Sequence, residues 1–224
     1  MTSVTVLPCG GVTGAEHTWT IVVGGGTGQR FGTLKQYELL GDVRVIDRSH
    51  AVAAASTDGV VLVVPAEDAA RERGVAGGAS RSESVRAGLA AVPTDATIIC
   101  VHDAARPFAT AALYERVIGA VRAGADGAIP GVPVTDTIKV VADGVVVSTP
   151  DRSSLVAVQT PQAFRADVLR RAHGTGDAST DDAALVERLG GRVVVVEGEA
   201  DNRKITHPDD LDWARRLLVT ETTG

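Results

Sequence analysis

Short apolar runs rich in Val and Ile alternate along the chain with longer stretches whose apolar residues recur at helical spacing. The runs Trp19–Val23, Val60–Val64, Thr97–Val101, Gly127–Ile129 and Arg192–Val196 read as strands. Ser82–Ala91, Thr110–Ala123, Ala166–Ala172, Asp181–Leu189 and Pro208–Leu218 read as helices. This alternation predicts an α/β domain built on a mostly parallel sheet. Two helix starts carry capping signals: Thr180 precedes Asp181 and Asp182, and Thr206 precedes Pro208, Asp209 and Asp210.

One segment breaks the alternation. Val132–Val141 and Val145–Thr149 read as strands joined at Asp143-Gly144, a favoured hairpin turn. A hairpin inserted in such a chain is expected to protrude, giving a β-arm at about 132–153. Residues 19–224 are read as one domain, and residues 1–18 as an N-terminal extension in which Ser3–Leu7 suits a short strand.

With 224 residues, 44% of them hydrophobic, the chain has enough apolar surface to bury a core. No apolar run approaches the roughly 20 residues that span a bilayer. Met1–Thr20 lacks the basic and apolar regions of a secretory signal. Cys9 and Cys100 are too few for a disulfide framework, so a cytoplasmic location is expected. The net charge of −6 argues against a nucleic-acid partner. It leaves room for a small polyanion held by a few focused cations.

Such cations stand in the loop after the first strand, Gly24-Gly25-Gly26-Thr27-Gly28-Gln29-Arg30-Phe31-Gly32, followed by Lys35-Gln36. Its glycines let backbone N–H groups approach a polyphosphate. A P-loop would need Lys and Ser or Thr after the last glycine, and Gln29-Arg30 stands there instead. A dinucleotide fingerprint fails because Phe31 replaces its final glycine. What remains is a glycine loop with its own Arg and Lys, or simply a tight strand-to-helix turn.

The loop resembles the signature of sugar-phosphate nucleotidyltransferases. Further pieces narrow the resemblance: Gly77-Gly78-Ala79-Ser80-Arg81-Ser82-Glu83-Ser84, Val101-His102-Asp103-Ala104-Ala105-Arg106-Pro107-Phe108 and Val134-Thr135-Asp136-Thr137-Ile138-Lys139. Pro150-Asp151-Arg152, Gln159-Thr160-Pro161-Gln162, Thr180-Asp181-Asp182-Ala183 and Asp201-Asn202-Arg203-Lys204-Ile205-Thr206-His207-Pro208 follow in order. Together they are similar to the 2-C-methyl-D-erythritol 4-phosphate cytidylyltransferase family. The resemblance implies a Rossmann-like sheet of the nucleotidyltransferase type and transfer of CMP from CTP to a polyol phosphate, with Mg²⁺ or another divalent cation.

By the same resemblance, Arg30, Lys35 and Lys204 would hold the phosphates and stabilise the leaving pyrophosphate. Gly24, Gly25, Gly26, Gly28, Gly78 and Ser84 would frame the nucleotide. Asp103, Arg106, Thr137, Lys139, Arg152 and Thr160 would hold the second substrate, and Asp103 and Asp201 the metal. The arm would pair with a second subunit, making a homodimer in which Thr137 and Arg152 act in trans. His102, on or beside a buried strand, is read as packing. The chain departs from the family at Gly24 and Gly25, which replace Ala, at Leu34, which replaces Pro, and at Ala79, which replaces an acid in some members. Its rivals are a relative acting on ribitol 5-phosphate, a catalytically silent nucleotide binder and, from another class, a nicotinamide-dependent dehydrogenase.

Overall fold

The computed structural model describes residues 16–26, 34–177, 179 and 181–222. Arg30, Gly28, Thr180, Cys9 and the expected strand Ser3–Leu7 lie outside them.

Five strands run where the apolar runs predict, each shifted or extended by a few residues. They are β1 (Thr18–Val23), β4 (Gly59–Val64), β6 (Ile98–Asp103), β7 (Gly127–Pro133) and β12 (Val193–Glu197). Strands β1, β4 and β6 pair in parallel, as do β7 and β12, and the short β5 (Val75–Ala76) extends the sheet beyond β4.

Period-two alternation splits these strands between two cores. Ile21, Val63, Ile99 and Val101 face one side, with Val85 and Leu89 of α2 (Arg81–Ala91), Leu169 of α4 (Ala166–Gly174) and Val186 of α5 (Asp182–Arg188). Val22, Val64, Ile98 and Cys100 face the other, with Ile46 and Ala53 of α1 (Val45–Ser56) and Leu113, Val117 and Val121 of α3 (Ala111–Arg122). Because both faces are covered, the strands read as continuous apolar runs.

The last helix, α6 (Pro208–Thr222), packs Leu211 and Ala214 on Leu40, Val45 and Ile205. Leu40 belongs to a small hairpin of β2 (Leu39–Leu40) and β3 (Val43–Arg44).

Strands β10 (Val156–Val158) and β11 (Gln162–Arg165) are antiparallel additions that the apolar pattern misses. Both lie along the same edge of β7, opposite β12, and the Thr160-Pro161 bond between them is cis. The expected turn forms at Asp143-Gly144, where φ is 50° and 78°, and joins β8 (Val140–Ala142) to β9 (Val145–Ser148). These two strands form a separate sheet, and every residue in them is exposed.

Candidate active site

The carboxyl ends of β1, β4 and β6 converge on one crevice. Backbone bonds carry the alignment past the strands: Gly24 N–H donates to Val63 O at 2.7 Å, Gly77 N–H to Val64 O at 2.8 Å and Ala104 N–H to Val23 O at 2.9 Å. The glycine loop, the segment before α2 and the segment after β6 therefore share a cavity of about 850 Å³. A recess of about 240 Å³ opens from the same Gly25–Gly78 edge, between Leu34 and Pro65.

Helix α2 starts beside this cavity because Ser80 and Glu83 form a capping box: the Ser80 hydroxyl accepts from Glu83 N–H, and Glu83 accepts from Ser80 N–H. Ser84, one turn in, accepts from Gly78 N–H at 3.2 Å and donates to Ser80 O at 3.0 Å. A Cβ on Gly78 would stand 2.3 Å from the Glu83 Cβ, so close packing requires glycine there. At Gly24 a Cβ would meet Ile46 Cδ1 at 3.0 Å, a tight fit that suits glycine.

Charges gather around Asp103, the last residue of β6. Its carboxylate accepts from Lys204 Nζ at 2.5 Å and from Arg81 Nε at 3.3 Å. Burial alone would raise its pKa, but the neighbouring charges of Arg81 and Lys204, and the Lys204 hydrogen bond, hold it well below the usual carboxylate range. Behind Arg81, Asp182 accepts from its Nη1 at 2.7 Å and is bonded through its other oxygen to His173 Nε2 at 2.9 Å. Burial pulls the Arg81 pKa down, yet the charges of Asp103 and Asp182 outweigh it and raise the net value. Lys35 lines the same cavity and donates from Nζ to Ile205 O at 2.7 Å. Lys35, Lys204, Arg81 and Asp103 thus share one cleft with the glycine loop.

The sequence profile of the 2-C-methyl-D-erythritol 4-phosphate cytidylyltransferase family matches residues 18–220. The chain belongs to this family. A cytidylyltransferase of that name from Rhodococcus jostii is 45% identical over 88% of this chain and 93% of its own length. The bifunctional enzyme IspD/IspF of Oleidesulfovibrio alaskensis is 42% identical over 87% of this chain but only 56% of its own length. The chain thus spans about half the length of the bifunctional relatives it matches. The crystal structure of the Thermus thermophilus cytidylyltransferase superposes with a TM-score of 0.76 at 32% identity, covering 88% of this chain and 97% of that one.

Several residues singled out by the family resemblance stand away from the cavity. Thr137 and Lys139 are exposed, and Lys139 Nζ donates to Thr149 Oγ1 at 2.7 Å. Arg152, also exposed, donates to Thr135 O at 2.6 Å. None of the three lines the cavity. Thr160 is buried, and its hydroxyl accepts from Asp103 N–H at 3.0 Å and contacts His102 Nδ1 at 3.1 Å. That fixes Thr160 as a brace for Asp103 within the fold rather than a lining residue. Arg106 ties two chain segments by donating to Asn202 O and Val158 O. Asp201 is exposed and absent from the described lining. His102 is fully buried, and burial pushes its pKa down to about 4. Arg81, Asp182 and His173 were not assigned by sequence; Ser80-Arg81-Ser82-Glu83 carries a capping-box signal that places Arg81 at the helix start.

Proposed function

We propose that the chain transfers the cytidylyl group of CTP to 2-C-methyl-D-erythritol 4-phosphate, forming 4-diphosphocytidyl-2-C-methyl-D-erythritol and pyrophosphate. The observation that carries this reading is the convergence of Lys35 and Lys204 with Asp103 on one cavity beside the glycine loop. A phosphate oxygen of the polyol substrate attacks the α-phosphorus of CTP. The bond from that phosphorus to the oxygen bridging the β-phosphate breaks, and pyrophosphate leaves. The attacking phosphate is mostly ionised at neutral pH, so no strong base is needed.

The barrier is anion repulsion, about 4 kcal/mol for each unit-charge pair at 4 Å and an effective dielectric near 20. Lys35 and Lys204 oppose that repulsion where charge builds on the departing pyrophosphate, a part the resemblance also gives to Arg30. The recess between Leu34 and Pro65, with glycine backbone at its edge, suits a flat pyrimidine.

A divalent cation fits as one brought in with the triphosphate. Among the described residues no cluster of three or more His, Cys, Asp or Glu could hold a metal, and Asp103 is the one carboxylate in the described lining. Asp103 would hold the ion, whose charge screens the phosphates; Mg²⁺ takes one or two carboxylates plus phosphate oxygens in such sites. The hairpin's exposed valines support a homodimer in which Thr137, Lys139 and Arg152 reach the partner's cavity. A cytoplasmic location is supported by the cysteine count, two in the whole chain and too few for a disulfide framework. No helix among the described residues is long and apolar enough to cross a membrane.

Pyrophosphate release, measured with CTP and either 2-C-methyl-D-erythritol 4-phosphate or ribitol 5-phosphate, tests the reading. Turnover is expected with the first at a kcat/KM well above that with the second. Preference for ribitol phosphate, or no turnover with either, overturns it.

A further inference from the structure

The cations around Asp103 differ in how firmly they are held. Lys204 has 38% of its side chain exposed and grips Asp103 by one bond. Arg81 is only 21% exposed and is held at two points. One of these is Asp182, whose side chain is 1% exposed and whose second oxygen is engaged by His173, itself 2% exposed. His173 projects from α4 and Asp182 opens α5, so two packed helices set the anchor. No step of the proposed reaction calls on Asp182 or His173, yet burying such groups is costly unless each is paired.

This asymmetry has a consequence for Lys204. In this structure Lys204 is engaged by Asp103, so moving its ammonium toward the phosphates stretches its bond to a buried carboxylate. Until a metal arrives with the triphosphate, leaving Asp103 with no cation would be costly at such a site. Arg81 is already in contact with the other oxygen of Asp103 and cannot follow Lys204, because its Nη1 is bound to Asp182.

We propose that Arg81 is a positioning residue: clamped from behind by Asp182 and His173, it retains Asp103 so that Lys204 can move to the reactant phosphates. The proposal rests on the reading that Lys204 serves those phosphates. Arg81 then acts through Asp103 and Lys204 without itself binding the leaving group. The fixed cation releases the mobile one.

The test is calorimetric binding of inorganic pyrophosphate, in EDTA so that no metal bridges the ligand to Asp103. Arg81→Gln removes the charge and keeps an amide donor toward Asp182. Because it leaves Asp182 buried without a cation, Arg81→Gln with Asp182→Asn supplies a neutral pair that avoids this cost. In the wild-type background either change is expected to weaken pyrophosphate binding about tenfold, since Asp103 then holds Lys204 alone. In an Asp103→Asn background Lys204 has no carboxylate to leave, and the same changes are expected to alter affinity less than about twofold. Equal weakening in both backgrounds would mean that Arg81 binds the phosphates directly or acts only on the fold, and unchanged affinity in the wild-type background would mean it does neither; each result overturns the proposal. Turnover of the wild type with CTP and the polyol phosphate is measured in parallel. Turnover without the background dependence sinks the role of Arg81 and leaves the reaction standing; the dependence without turnover does the reverse.

Discussion

Lys35 Nζ donates to the carbonyl oxygen of Ile205 at 2.7 Å, tying the cation of the first loop to the residue that follows Lys204. Ile205 is itself buried against Leu40 and Leu211, and its N–H donates to Ala105 O at 2.8 Å. Two lysines from opposite ends of the chain are therefore set on one side of the cavity by the same short segment.

That linkage predicts that the two lysines fail alike. Lys35→Met and Lys204→Ala are each expected to cut turnover by about 10²-fold or more, because each removes charge from where it builds in the transition state. Melting temperature should stay within a few degrees, since Lys204 is part-exposed. Steady-state pyrophosphate release beside a thermal melt checks both statements. Near-normal turnover in either variant removes that lysine from the chemistry.

Gly78→Ala is expected to damage the site through packing alone. The added Cβ would fall 2.3 Å from Glu83 Cβ and 2.8 Å from Glu83 Oε2, in the middle of the capping box. Either the box opens or the loop moves, and a lost helix cap costs about 1 kcal/mol. CTP affinity, measured by calorimetry, should fall while the far-UV spectrum is kept. Unchanged affinity would show that the loop can shift without reaching the nucleotide.

The acid limb of stability has a separate source, far from the lysines. Glu72 accepts from Arg44 Nη1 and Nη2 at 2.9 and 2.8 Å, and Arg71 Nε also reaches it. The Arg44 hydrogen bonds, against the opposing effect of burial, bring its pKa from 4.5 down to about 2. A carboxylate with a depressed folded-state pKa adds stability that is complete above its unfolded value. That stability drains away as pH falls from 4.5 to about 2. Arg44→Met should therefore cost about 2 kcal/mol at pH 7 and progressively less below pH 4.5. Urea melts of both proteins across that window measure the difference; a gap constant with pH would place the effect in the packing of Arg44 on Tyr37.

The parts of this fold that are legible in sequence are those whose burial is two-sided or whose turn chemistry is local. Strands β1 and β6 declare themselves because every second residue feeds one core and its neighbours feed the other. The Asp143-Gly144 turn declares itself because both residues must take positive φ. Strand β11 stays hidden because it follows the run Gln159-Thr160-Pro161, and its buried Gln162 donates from Nε2 to Asp181, a partner that no pattern reveals. Helix α1 has its buried residues at Val45, Ile46, Ser49 and Ala53, too small and mixed a stripe to stand out. At α6 the expected cap, Thr206, gives way to Asp210, whose carboxylate accepts from Thr206 N–H and His207 N–H at 2.8 Å. In the site, motif order singles out Lys35, Asp103 and Lys204, which line one cavity, but the contacts of Arg81 with Asp103 and of Asp182 with His173 join separate elements and exist only once the chain has folded.

The hairpin supplies the last prediction. Val140, Val141, Val145, Val146 and Val147 are 45–67% exposed, and Val156 and Val158 of β10 add to the apolar surface. Val141 pairs with Val146 on a ribbon that forms its own two-stranded sheet apart from the main one. A two-stranded hairpin is marginal by itself in water, and each valine buried against a partner would return about 1.5 kcal/mol or more. Val147→Lys places a charge in that surface without touching the main sheet. Sedimentation should show a dimer for the wild type and a shift to monomer for the variant. Because Thr137, Lys139 and Arg152 flank the same ribbon, polyol phosphate turnover should fall with the dimer, while CTP binding in the cavity of each subunit should hold. A wild type that sediments as a monomer, or a monomeric variant with full turnover, would detach the hairpin from catalysis.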